Sequence, residues 1–154
     1  MQYQDATICR MVVKVTVVAG SKLMSSQGLR CNPYCSIWLG SVRKQTHVLS
    51  DTLNPHWSET FTFEWTNAHE GQTSVIVLTV FNRINSRDTC VGTVDLDLFK
   101  IVESGGVVHD WFELRLPPNG TKQDGFRRDG ADWGGSIKLK VSISSPANTK
   151  RVES

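Results

Sequence analysis

From Met11 onward the chain alternates apolar and polar residues at a period of two in one short run after another, and almost nowhere at the period of a helix. MVVKVTVVAG (11–20) is β-branched and stops at a glycine. YCSIWLG (34–40) follows a proline, and VRKQTHVL (42–49) begins just after it, as the second arm of a hairpin would. The stretch DTLNPHWSETFTFEW (51–65) opens on a turn signal and places Trp57, Glu59, Phe61, Phe63 and Trp65 on alternate positions. SVIVLTVF (74–81), CVGTVDLDL (90–98), DWFELRL (110–116) and GSIKLKVSIS (135–144) complete eight predicted strands. Only LFKIVESG (98–105) has room for a helical turn or two. The pattern predicts an all-β domain, an eight-stranded antiparallel sandwich with Phe61 and Phe63 facing the core and Ser58, Thr60, Thr62 and Glu64 facing out.

A chain of 154 residues suits one domain, with roughly two thirds of its unfolded surface buried. Hydrophobic residues at 39% and charged residues at 21% are ordinary for a globular chain and too apolar for disorder. A net charge of +2 gives no argument for nucleic acid, so any basic contact has to come from local clustering. Cys9, Cys31, Cys35 and Cys90 form no C-x-x-C pair and no disulfide framework, which predicts reduced thiols in a cytoplasmic protein. No apolar run approaches the ~20 residues of a membrane span. The sequon at Asn119 stands without other signs of secretion.

Several segments are more specific than sandwich patterning requires. TLNPHWSETFTFEW resembles the signature of the C2 domain family, in which a Thr-x-Asn-Pro turn precedes an aromatic, an acidic residue and an alternating Phe-x-Phe strand. VVKVTVVAGSKL is similar to that family's first strand and the turn into loop 1. NPYCSIWLG is similar to its Asp-Pro-Tyr strand, VLTVFN to the strand entering loop 3, CVGTVDLDL to the strand after it, and WFELRL to its Trp-x-x-Leu strand. The resemblance spans residues 10 to 145 and implies a Greek-key sandwich in the second of the family's two permuted topologies. Residues 1–10 are expected to be an N-terminal extension, 11–145 the C2-like domain, and 146–154 a flexible tail, with the whole belonging to a larger chain or complex.

The family implies membrane targeting or protein docking, often with calcium held by five aspartates of loops 1 and 3. Those positions here hold Ser26, Asn32, Asn82 and Ile84, with Thr89 at the last and Asp88 beside it. At most one carboxylate survives, which leaves most of a divalent charge uncompensated, so no metal or other cofactor is expected. Cations have come in instead. Lys22 and Arg30 in loop 1, with Arg83 and Arg87 against Asp88 in loop 3, bring the two loops to +3. Leu23, Met24, Leu29 and Ile84 lie among them as expected surface apolar residues. Antiparallel order sends the long 117–135 insertion to the same end, with Phe126 beside Arg127 and Arg128. These residues make a candidate anionic membrane contact.

The lysine cluster that the family carries on its concave face maps to Ser36, Trp38, Gln45 and His47, with Arg43 and Lys44 nearby. There Trp38, Arg43, Lys44 and His47 are a candidate protein-docking set, since Trp is enriched at interface hot spots. His47, His56, His69 and His109 fall on separate elements and suggest no catalytic pairing, and Cys31 and Cys35 read as core thiols rather than a metal site. Two non-catalytic readings follow. One is calcium-independent, peripheral binding to an anionic membrane through the loop tip. The other is a scaffold module that docks a protein through the concave face or the insertion.

Overall fold

The computed structural model describes residues 10–23, 31–66, 74–116 and 133–146. They form eight strands and one short helix: β1 Arg10–Ser21, β2 Pro33–Leu39, β3 Val42–Gln45, β4 His56–Thr66, β5 Val75–Ile84, β6 Arg87–Asp97, α1 Leu98–Glu103, β7 Val107–Arg115 and β8 Trp133–Ser144. Every strand pairing is antiparallel, in the order β3-β2-β5-β6-β7-β8-β1-β4. At β6 and β7 the ladder narrows to the single pair Thr93↔Arg115. There the sheet doubles over into two four-stranded layers, β3-β2-β5-β6 and β7-β8-β1-β4. The layers approach closely at this seam, because a Cβ on Gly92 would stand 2.7 Å from that of Leu114.

Alternation fills the space between the layers. Val13, Val15 and Val17 of β1, Cys35 and Ile37 of β2, Ile76, Leu78 and Val80 of β5, and Ile137, Leu139 and Val141 of β8 belong to one buried cluster. From β4 it takes Trp57, Phe63 and Trp65, while Phe61 is only half-buried against it. β4 is the outermost strand of its layer, so its middle is covered from fewer sides than a central strand's. Lys44 supplies part of that cover, with its Nζ 5.3 Å from the Phe63 ring centroid. Asp97 caps α1 by accepting the Phe99 N–H at 2.9 Å.

β3 ends at Gln45, four residues before its expected limit. The Thr46 hydroxyl takes the Cys35 N–H at 2.9 Å, so a side chain replaces a ladder bond and the chain turns toward β4. The opposite change occurs at the expected loop 3. β5 and β6 stay paired out to Ile84↔Arg87 and are joined by Asn85 and Ser86 alone, at φ values of 52° and 65°. Two successive positive φ values define the primed turn that fits the twist of a hairpin.

Candidate docking surfaces

The ends of β1, β3 and β5 meet at one end of the sandwich. The start of loop 1 is fixed to the segment before β4, since Lys22 N–H donates to Asn54 Oδ1 at 2.9 Å and Leu23 N–H to the Leu53 carbonyl at 3.0 Å. Gly135 of β8 also lies beneath it, at φ 106°, where a Cβ would fall 2.5 Å from the Lys22 carbonyl oxygen. The consequence overturns one expectation. Leu23, taken for a surface apolar residue, is 1% exposed and part of the core, because these two bonds turn it inward. Lys22 stays exposed. Ser26 and Arg30 of loop 1, and Phe126, Arg127 and Arg128 of the insertion, lie outside the described residues.

The degenerate calcium positions are tied into hydrogen bonds. Asn32 Oδ1 accepts the Asp51 N–H at 2.7 Å, and its Nδ2 donates to the Arg83 carbonyl at 2.8 Å. Asn82 is fully buried, and its Oδ1 accepts the Asn32 N–H at 2.7 Å. Asp88 is held from both sides, by Arg83 Nε at 2.8 Å and by the Tyr34 hydroxyl at 2.7 Å. The Arg83 hydrogen bond holds the Asp88 carboxyl below its usual range, with Tyr34 adding to the effect against some desolvation. Burial, followed by the bond to Asp88, raises the Tyr34 phenol. Ile84 offers no donor atom. Among the described residues of these positions the oxygens are already committed to N–H and O–H donors and one carboxylate is salt-bridged, a poor set for a hard divalent cation.

This arrangement also changes the roles of the loop 3 bases. Arg83 lies 4.9 Å from the Tyr34 ring centroid, and Tyr34 stacks on Phe81 at 5.4 Å, so Arg83 is the lid of a packed aromatic column rather than a free cation. Arg87, beside the two-residue turn, is exposed. Sequence reading passed over Tyr34. Its signal was the Asn-Pro-Tyr run, but only the register Tyr34↔Phe81 with Arg83↔Asp88 shows what the ring supports.

The four residues expected to form one docking set separate. Trp38 and Arg43 face each other on the outer side of the β3-β2-β5-β6 layer, with the guanidinium 6.0 Å from the ring centroid and Trp38 41% exposed. Ser36 lies on that same side, 1% exposed, and its Oγ lacks a hydrogen-bond partner. Lys44 points the other way, because it pairs with the core residue Ile37. Its Nζ donates to the Thr62 carbonyl of β4 at 3.0 Å. His47 has also left the outer face. Its N–H donates to Glu59 of β4 at 3.0 Å, its ring lies 3.2 Å from the same carboxylate, and its carbonyl accepts the Trp57 indole N–H at 3.1 Å. Lys44 and the His47 backbone therefore tie the end of β3 to β4 across the open side of the sandwich, while the His47 ring stays exposed.

Burial pushes the Cys31 thiol up to about 12 and raises that of Cys35 further, which makes both inert core residues. Among the described residues no group of His, Cys, Asp or Glu is arranged to hold a metal ion. No helix among them is long and apolar enough to cross a membrane.

An eight-stranded sandwich with this strand order, whose loops gather around an Asn-Pro-Tyr strand and a Thr-x-Asn-Pro turn, is a C2 domain. The C2 domain family model matches residues 11–114, and the chain belongs to that family. It is 29% identical over 113 residues to extended synaptotagmin-1 of Pongo abelii, an alignment that covers 69% of this chain and 10% of that protein. To multiple C2 and transmembrane domain-containing protein 1 of Rattus norvegicus it is 30% identical over 100 residues, 63% of this chain and 10% of the relative. The chain thus spans about a tenth of the length of these relatives. The solved tandem C2 domains of extended synaptotagmin 2 superpose with a TM-score of 0.68 at 20% identity, covering 87% of this chain and 41% of that one, a likeness of fold.

Proposed function

We propose that this C2 domain is a non-catalytic module that attaches a larger protein to anionic phospholipid at the cytoplasmic face of a membrane, without calcium, through its loop end. The observation that carries the reading is the hydrogen bonding of Asn32, Asn82 and Asp88, whose oxygens are occupied by protein donors. In a calcium-dependent domain the ion converts an acidic tip to a positive one. Here Lys22 and Arg87 are exposed at that end with no acidic cradle to neutralise among the described residues. Each basic side chain near an anionic surface contributes about 1 kcal/mol, and Arg30, Arg127 and Arg128 would add to the two.

Co-sedimentation with phosphatidylcholine vesicles, with and without phosphatidylserine, tests the reading. Binding is expected only with the anionic lipid, unchanged by chelator and weakened by salt. Reversal of Lys22 and Arg87 to Glu should reduce it sharply while the melting temperature holds. A requirement for calcium, or no binding at low salt, would sink it.

A second reading, docking of a protein partner, is favoured by Trp38. A half-exposed indole capped by Arg43, on the same face of β2 as the buried Ser36 hydroxyl that lacks a partner, is the composition of an interface anchor. Trp38→Ala should then abolish partner capture and leave vesicle binding intact.

A further inference from the structure

The side of the β7-β8-β1-β4 layer turned away from the core carries charge that neither the loop end nor the Trp38 face uses. Lys138 and Lys140 occupy alternate, outward positions on β8. Across from them on β7 stand Trp111, paired with Lys138, and His109, paired with Lys140. On the other side, Lys14 of β1 pairs with Ser142 and so lies diagonal to Lys140. Direct cross-strand neighbours are ~5 Å apart and diagonal ones ~7 Å. The three ammonium groups therefore add their potentials within about one Debye length, ~8 Å at physiological salt.

None of the three lysines forms a salt bridge within the described residues. The ion pairs found there are His47–Glu59 and Arg83–Asp88, and neither touches this face. Its own carboxylates, Glu64 and Glu113, stand opposite Val12 and Ser136, diagonal to Lys14 and Lys138, and leave the face net positive with Lys140 between. Between the lysines the surface is low and hydroxylated, and the Thr16 and Thr60 hydroxyls bond each other at 2.8 Å. Trp111 is 45% exposed, with Lys138 Nζ 5.9 Å from its ring centroid.

We propose that this face is a second contact surface for anionic phospholipid, built from Lys14, Lys138, Lys140 and Trp111. It shares with the loop-end reading the chemistry of its partner but none of its residues. A planar array of anionic headgroups meets all three lysines at once, whereas an acidic peptide bound by strand addition uses a sheet edge, and one bound in a groove needs walls. Trp and the stems of Lys are also the side chains suited to the depth where headgroup meets acyl chain. The loop end faces along the strands and this surface faces across them, so one flat bilayer engages one or the other. The domain would stand on its loops or lie on this sheet, and two apposed membranes would be held by engaging both.

Flotation of the full chain with phosphatidylcholine vesicles containing phosphatidylserine separates the possibilities. In a K22Q/R87Q background, K14Q/K138Q/K140Q is expected to weaken the binding that remains on the order of 100-fold, from about fivefold per lysine, with an unchanged melting temperature. W111A is expected to weaken it less, and K22Q/R87Q to leave the contribution of the sheet in place. Loss on K22Q/R87Q with the triple variant binding as wild type removes this proposal and keeps the loop end. The reverse pattern keeps this proposal and removes the loop end. A triple variant that still binds vesicles but has lost affinity for poly-glutamate assigns the face to an acidic protein and overturns the proposal, as does wild-type protein that ignores the vesicles.

Discussion

Arg83 lies above the Tyr34 ring and Lys138 above the Trp111 ring, and the two cations differ in what else they touch. Arg83 is also bonded to Asp88, which bonds Tyr34, which is buried and stacked on Phe81. Its charge is answered inside the protein. Lys138 has no carboxylate partner among the described residues, and its ring is half in solvent. The contrast teaches that the count of bases in a segment does not show which of them can meet a ligand. Register decides that, by placing an acid beside one cation and a hydroxyl beside the other.

Truncating the rings should separate the two stacks most widely. Tyr34→Ala removes a buried ring and the lower support of the column, so a loss of about 3 to 5 kcal/mol is expected in a denaturant melt. Trp111→Ala should cost no more than ~0.5 kcal/mol. Comparable losses would erase the difference between the two stacks.

A smaller effect tests the electrostatic part. Asp88 has a lowered pKa in the folded state, so its contribution is present above the ordinary carboxylate pKa and disappears as pH falls through the folded value. The pair is partly exposed, so solvent screens it and its contribution is small. Asp88→Asn should therefore lower stability slightly at pH 7 and flatten the acid limb below about pH 4. An acid limb identical to wild type would mean that the Arg83 pair contributes nothing.

The smallest expected change is the response to calcium. Ligand stabilises by RT ln(1 + [L]/Kd), so weak affinity gives almost no shift. Between chelator and millimolar calcium the melting temperature should move by less than about 1 °C. A rise of several degrees would show that Asn32, Asn82 and Asp88 exchange their protein partners for the ion.

The fold was legible because its signals are local. Val13, Val15 and Val17 announce an inward face within five residues, and the Thr-x-Asn-Pro turn with Phe63 and Trp65 announces β4. The sites were less so, because their partners are distant in the chain. Lys44 looked like a neighbour of Trp38 until the pairing with Ile37 put it on the core side, and His47 meets Glu59 only because β3 and β4 close on each other. Leu23 read as a loop residue, yet a backbone bond to the distant Leu53 makes it core. The hairpin at Asn85 and Ser86 lacked the glycine that usually announces a primed turn, so a closed ladder passed for an open loop.

That closed ladder bears on how fast the domain can engage a surface. Paired from Asn82↔Thr89 to Ile84↔Arg87 and turned through two residues, the tip has no slack to be taken up after first contact. A segment that must order itself lowers the association rate, whereas a pre-shaped one leaves diffusion and charge steering as the controlling steps. Encounter with an anionic surface should then be a single, salt-sensitive phase in stopped-flow traces, with no slower rearrangement behind it.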